Sequence, residues 1–390
     1  MNIVQRSSSL RHLLVQFLRA SSVSSSKLSG YHGYTSQAAS SLRVATQPSS
    51  DSDDEYADVD WDKLGFGLTP TDYMYVMRCS KDQTFNAGQL TRYGNIELSP
   101  SAAQILIQAI YEGTKANRTE DGRILLFRPE QNAARMKYGA ERMCMPSPSI
   151  EQFVDAVKET VFANKRWIPP PGKGSLYVRP LLLGSGPILG LAPAPEYTFL
   201  IYASPVRNYF KEGTAPLNLY INEEYVRASP GGAGGVKTIT NYAPVLKAIA
   251  SAKNRGFSDV LYLDAVNKKY LEEVSSCNIF IVKGNNISTP ATNGTILKGV
   301  TRKSIIEIAR DQGYQVEERA IEVDELGEAD EVFCSGTAVG VAPVGSITYR
   351  NKRMEFKTEG RLVSKELYST LAGLQTGRIE DKNGWTVEIV

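Results

Sequence analysis

Through the second half of the chain, apolar runs of strand length alternate with stretches whose apolar residues recur at helical spacing. That alternation restricts the fold to sheets covered by helices. Pro244 to Asn254 carries the helical spacing and is stopped by Gly256, after which Asp259 to Leu263 forms a buried strand. Asn278 to Val282 is a second strand, closed by Gly284-Asn285-Asn286. Thr301 to Asp311 is a helix with Ile305, Ile306, Ile308 and Ala309 on one face, and Glu331 to Cys334 is a strand entering a turn at Ser335-Gly336-Thr337-Ala338. The first half mixes the same elements, with helices at Ser101 to Tyr111 and Ser149 to Asn164 and a strand at Leu176 to Leu183. The class is α/β, in an α+β two-domain arrangement. A polar hinge, Lys211 to Pro216, parts the strand-like runs Glu196 to Val206 and Leu217 to Tyr225. It divides the chain into a leader at 1–50, a small α/β domain at 51–211, an interdomain loop at 212–218 and a larger domain at 219–390.

The leader is serine-rich, and its only charges are Arg6, Arg11, Arg19, Lys27 and Arg43, with the first acidic residue at Asp51. Leu14, Phe17 and Leu18 share one helical face, so the segment reads as a mitochondrial presequence, with a plastid as the alternative address. Its apolar run is too short to span a bilayer. Those five basic residues are the only charges removed with the leader, so the formal balance moves from +2 to −3. A nearly neutral chain of that kind has no electrostatic footprint for nucleic acid. Cys79, Cys144, Cys277 and Cys334 show no paired spacing, which supports neither a disulfide framework nor a zinc site.

Both histidines, His12 and His32, lie in the leader. The rest of the chain therefore cannot run a Ser-His-Asp or Cys-His mechanism, and nucleophilic work falls to lysine, cysteine, serine or a carboxylate. Lys237 has the constructed setting: it ends Gly231-Gly232-Ala233-Gly234-Gly235-Val236-Lys237 and precedes the helix signal at Pro244. Glycines there let backbone approach a ligand closely, and the lysine could present its amine to a carbonyl. A solvated loop lysine, or one touching a phosphate as a point charge, fits the same spacing. Gly299-Val300-Thr301 opens a helix and offers free amides to an anion, or is a plain helix start. Glu273 precedes a buried strand, where an acid is either catalytic or a capping residue.

Taken together, Gly234-Gly235-Val236-Lys237 with Asn241-Tyr242-Ala243-Pro244, Glu273-Val274 with Asn278-Ile279-Phe280, Gly299-Val300-Thr301-Arg302 and Ser335-Gly336-Thr337-Ala338 resemble the branched-chain amino acid aminotransferases. The likeness extends through Tyr111-Glu112-Gly113, Leu126-Phe127-Arg128-Pro129 and Ser175 to Pro180, and Glu55 to Trp61 resembles plant members. The resemblance implies fold type IV, the D-amino acid aminotransferase-like fold, with pyridoxal 5′-phosphate between two domains of a homodimer. It implies reversible transamination of leucine, isoleucine and valine with 2-oxoglutarate, giving glutamate and branched-chain 2-oxo acids.

On that resemblance, Lys237 holds the cofactor covalently and carries the proton, Glu273 pairs with the pyridine nitrogen, and Tyr242 bonds the phenolic oxygen. Arg128, the amides of Val300 and Thr301 and the hydroxyl of Thr337 hold the phosphate. The amides of Thr337 and Ala338 receive the substrate carboxylate. Phe66, Tyr111, Tyr177, Leu191 and Tyr209 line the side-chain pocket, with Arg179 receiving the second carboxylate of glutamate. No metal is implied. Two departures stand out. The stretch Gln104 to Tyr111 lacks the family's pocket tyrosine, which implies an altered pocket near Leu106 and, as the alternative function, a weakened or non-catalytic cofactor-binding homologue. Val339-Gly340-Val341-Ala342 replaces the Cys-x-x-Cys pair of some animal members, so thiol switching is not expected.

Overall fold

A computed structural model describes residues 56–99, 108–207, 209–210 and 215–389. The leader at 1–50, the surroundings of Leu106 and part of the hinge at 212–218 lie outside the described residues.

The first half supplies strands β1 (Tyr73–Ser80), β2 (Gln89–Arg92), β3 (Ala109–Tyr111), β4 (Thr114–Arg118) and β5 (Ile124–Phe127), then helices α1 (Pro129–Arg142) and α2 (Ile150–Ala163), then β6 (Ser175–Gly184) and β7 (Glu196–Val206). These strands form an antiparallel sheet in the order β5-β4-β6-β7-β1-β2, with β3 also on β6. Ser149 starts α2 because its side chain accepts from the Gln152 amide while Gln152 reaches back to the Ser149 amide. The apolar stripe of α2, including Phe153, Val157 and Val161, is buried in one core with Leu176, Leu182, Phe199 and Ile201 of the sheet.

The second half supplies β8 (Leu217–Asn222), α3 (Val245–Asn254), β9 (Asp259–Leu263), β10 (Leu271–Val274), β11 (Asn278–Lys283), β12 (Asn286–Pro290), α4 (Val300–Asp311), β13 (Gln315–Arg319), β14 (Glu331–Gly336), β15 (Gly340–Tyr349), β16 (Lys352–Glu355) and α5 (Val363–Gln375). Its nine-stranded mixed sheet runs β10-β9-β8-β15-β14-β11-β12-β13, with β16 on β15. Both faces are covered, so its central strands are apolar throughout rather than alternating. In β11, Ile279 and Ile281 join the core with Leu219 and Leu261, whereas Phe280 and Val282 join the core containing Ile305 and Ile308 of α4 and Leu371 of α5.

Three sequence expectations are corrected. The predicted helix Ser101 to Tyr111 ends, where it is described, as strand β3, whose Ala109 faces Leu183 on β6. A short apolar run does not distinguish strand from helix by periodicity, and pairing to β6 decides it. Ser335 and Gly336 belong to β14, and the turn is Thr337 to Val339 before Gly340, whose φ is 71°. The last strand, β17 (Thr386–Ile389), pairs with β5 of the first sheet, so the structural unit around the second sheet does not run unbroken through 219–390.

Phe280 and Phe333 stack at 4.8 Å and 7°, both fully buried. Phe280→Ala should therefore lower unfolding free energy by about 3–5 kcal/mol, measured as a reduced midpoint in urea.

Candidate active site

The Lys237 backbone is fixed from both sides. Its carbonyl accepts from the Tyr111 amide at 3.1 Å, Ile110 and Thr238 form a bridge, and Asn241 Nδ2 donates to the carbonyls of Ala233 and Val236, each at 2.7 Å. The glycines before it serve a different approach from the one read in the sequence. A Cβ on Gly234 would lie 2.4 Å from both Ala228 Cβ and the Thr295 carbonyl oxygen, and the Gly235 amide donates to Gly294 O at 2.8 Å. The glycine run is thus pressed against protein backbone, and the lysine alone reaches the cavity.

Lys237 Nζ lies 3.4 Å from Tyr242 Oη, 4.5 Å from the Tyr111 ring centre and 5.5 Å from that of Tyr242. Burial disfavours the Tyr242 phenolate, but Lys237 and Arg227 outweigh it and bring the Tyr242 pKa below its ordinary value. Burial and the neighbouring Tyr242 push Tyr111 the other way. Two adjacent phenols, their rings 5.3 Å apart, are therefore driven toward opposite protonation behaviour.

Glu273 lies within β10 rather than before a strand. Its Oε1 accepts from Arg227 Nη1 at 2.6 Å and from the Leu297 amide at 2.9 Å, and Glu273 lines the cavity. Burial pushes its pKa up to about 7 against the pull of Arg227. The adjacent Glu272 does not line that cavity; its Oε2 is buried without a hydrogen-bond partner among the described residues, and burial raises its pKa.

The same cavity is lined by Phe66, Tyr111, Tyr177, Arg179, Tyr209, Lys237, Val300, Thr301, Thr337 and Ala338 from the sequence reading. Phe66 packs edge-on against Tyr177 and Tyr209 at 5.0 and 4.9 Å, forming an aromatic wall. Arg179 lies over the rings of Tyr111 and Tyr177 at 4.8 and 4.9 Å and donates to the Glu112 carbonyl at 2.9 Å. The start of α4 has no side-chain cap, so its first amides remain open to the cavity. Gly299 precedes them because a Cβ there would meet Asn278 Oδ1.

Two site assignments are corrected. Arg128 does not line the cavity: its guanidinium donates to Glu307 at 2.7 Å and Ser304 at 3.1 Å and stacks on Trp385. It anchors the β5–α1 corner to α4. Leu191 also lies outside this chain's cavity, 91% exposed in the β6–β7 connection. A second cavity arginine beside Arg179 is Arg135, which the sequence reading missed. It donates from Nε and Nη2 to Glu112, both at 2.7 Å, and from Nη1 to Lys298 O at 3.0 Å. Asn132 and Arg135, three residues apart on α1, both reach Glu112, and that helical spacing was the available signal. Ser276, Asn278 and Ser335 complete the missed lining.

A loop lysine, a buried carboxylate and an open helix start facing one cavity between two sheets define a class, and the family described as amino-transferase class IV matches residues 109–347. A branched-chain-amino-acid aminotransferase of Arabidopsis thaliana, named as chloroplastic, is 69% identical over 359 residues, 91% of this chain and 92% of the relative. One of Humulus lupulus, named as mitochondrial, is 65% identical over 384 residues, 97% of this chain and 98% of the relative. The crystal structure of the Escherichia coli branched-chain amino acid aminotransferase matches with a TM-score of 0.71 at 25% identity, over 82% of this chain and all of that one. The chain belongs to the branched-chain-amino-acid aminotransferases of class IV.

Because Gly234 meets backbone on one side and a methyl group on the other, Gly234→Ala should displace the lysine loop and destabilise the protein by about 1–3 kcal/mol, read as a lowered denaturation midpoint.

Proposed function

We propose that the protein catalyses reversible amino-group transfer between leucine, isoleucine or valine and 2-oxoglutarate, with pyridoxal 5′-phosphate as cofactor. The observation that carries this reading is the convergence on one cavity of the Lys237 amine, Glu273 and the donor-rich end formed by Arg135 and α4. The donor set suits the cofactor. Ser335 Oγ is buried in the cavity wall with no partner, and Arg135 has N–H groups left after its three bonds. With the first amides of α4, at Val300 and Thr301, they would cradle a phosphate. When bound, the cofactor supplies the electron sink that allows the substrate Cα–H bond to ionise.

The residues divide the remaining work. Lys237 would hold the cofactor covalently, take the Cα proton and return it. Tyr242, beside that amine, would orient it and bond the cofactor's phenolic oxygen. Glu273 would present Oε2 to the ring nitrogen, its other oxygen being occupied by Arg227 and Leu297. Thr337 would add its hydroxyl to the phosphate site, and the amides of Thr337 and Ala338 would receive the substrate carboxylate. The wall of Phe66, Tyr111, Tyr177 and Tyr209 would bury the aliphatic side chain, a contribution of about 1.5–3 kcal/mol that selects branched chains over alanine without separating the three. Arg179, held over two of those rings, would receive the second carboxylate of glutamate.

We assign the protein to a homodimer, in which Leu191 on its exposed loop would reach the partner's pocket. We assign it to the mitochondrion, with the plastid as the alternative. The arginine-rich, acid-free leader and the mitochondrial Humulus relative support the first address, and the chloroplastic Arabidopsis relative supports the second.

The direct test is glutamate formation from leucine and 2-oxoglutarate by the purified protein; no turnover with any of the three amino acids would sink the reading. Lys237→Ala should abolish both turnover and the visible absorbance of the bound cofactor. Glu273→Gln should slow turnover on the order of 10²–10⁴-fold with cofactor still bound, whereas Glu272→Gln, outside the cavity lining, should change it by only a few-fold. Arg135→Gln should weaken cofactor retention by about ten- to a hundred-fold, the equivalent of one or two charged hydrogen bonds, measured by dialysis and resaturation. Arg128→Gln should lower thermal stability and leave cofactor affinity within a few-fold.

A further inference from the structure

A second cavity of about 430 Å³ adjoins the first, sharing Tyr209, Thr301 and the Gly336–Val339 segment as its wall. None of the roles described above uses it. One side is the face of β4 that carries Lys115 and Asn117, two residues apart and therefore on the same face. The other side is the face of α5 bearing Lys365 and Tyr368, with Arg378 just beyond the helix end. Arg207, paired with Asp62 at 3.5 Å, also lines the cleft, and no aspartate or glutamate lines it among the described residues.

The donors there are poorly matched by protein acceptors. Asn117 is 8% exposed, yet its Nδ2 has no hydrogen-bond partner among the described residues. A buried amide donor left unsatisfied is costly and calls for a ligand acceptor. Lys115 Nζ donates to the carbonyl of Ala338 at 3.1 Å and has no carboxylate partner among the described residues, and burial lowers its pKa to about 8. Lys365 has no ion pair among the described residues, and Arg378 bonds only the Thr376 hydroxyl, at 3.1 Å. Lys115 on one wall and Lys365 and Arg378 on the other, without a carboxylate partner among the described residues and beside an unsatisfied buried donor, suit an acceptor-only ligand with charge at both ends.

We propose that this cleft binds a compact dianion, either a small dicarboxylate or inorganic phosphate, at a site separate from the catalytic cavity. Asn117 and Lys115 take one end of the ligand, and Lys365 and Arg378 take the other. Because Lys115 also bonds Ala338, the occupied cleft sits directly behind the turn facing the catalytic cavity.

The test is calorimetric titration of the cofactor-loaded enzyme with inorganic phosphate and, separately, with succinate. Saturable millimolar or tighter binding of either is expected, and the probe that binds identifies the source. The double variant Lys365→Gln/Arg378→Gln, changed at residues that do not line the catalytic cavity, should bind that probe about ten-fold more weakly or worse with an unchanged denaturation midpoint. Asn117→Leu should also weaken binding without lowering the midpoint, since it removes an unsatisfied donor. A merely structural asparagine would instead lower the midpoint and leave binding alone. No saturable binding of either probe to the unaltered enzyme, or equal affinity in the double variant, overturns the proposal. Binding is read directly, so the result is independent of the transamination assay.

Discussion

The backbone hydrogen bond from Gly235 to Gly294, 2.8 Å long, sets the register of the whole site. It holds the lysine loop against the segment that leads into α4, and that segment bonds three polar members of the cavity. Leu297 gives its amide to Glu273 and its carbonyl to Asn278, and the Lys298 carbonyl accepts from Arg135. One stretch of backbone therefore fixes Lys237, Glu273 and Arg135 relative to one another. Glycine at 234 and 235 is what allows two backbones to come so close.

Around that frame the charges are paired in a way that fixes geometry at a cost in desolvation. Arg227 with Glu273 and Arg135 with Glu112 are almost wholly buried ion pairs at 2.6 and 2.7 Å. Pairs of this kind add little net stability, but removing one partner strands a buried charge. Their value here is positional. Arg227 holds one Glu273 oxygen and leaves the other to the cavity, while Glu112, shared with Asn132, points the remaining edge of Arg135 at the start of α4. The same electrostatics lower the Tyr242 pKa, with the Lys237 amine 3.4 Å from its hydroxyl.

The two arginines of the Phe127 to Met136 stretch show where sequence reasoning stops. Arg128 stands in a recognisable motif, and Arg135 is an unremarked helical residue. The chain turns at Arg128 with φ of 50°, which sends its side chain along α4 to Glu307 and away from the cavity. Seven residues further on, Arg135 points back into it. No local pattern distinguishes these outcomes, because they depend on how α1 docks against a segment more than 160 positions later. The place of Leu191, on an exposed connection of this chain, is likewise beyond what local sequence reads.

The sequence by itself determined the strand and helix alternation of the second half, because burial on both faces leaves continuous apolar strands and amphipathic helices that periodicity reads directly. It also offered Lys237, Glu273 and the α4 start as candidates, each beside a plainer alternative, and only the resemblance to the aminotransferases drew them into one site. Only the tertiary structure decided that β17 returns to the first sheet, that Ala109 to Tyr111 is a strand, that Arg135 rather than Arg128 meets the cavity, and that Asn117 is left unsatisfied in a cationic cleft. Each of these depends on pairing or docking between segments distant in the chain, and the physical forces that choose them act between surfaces that do not exist until the chain has folded.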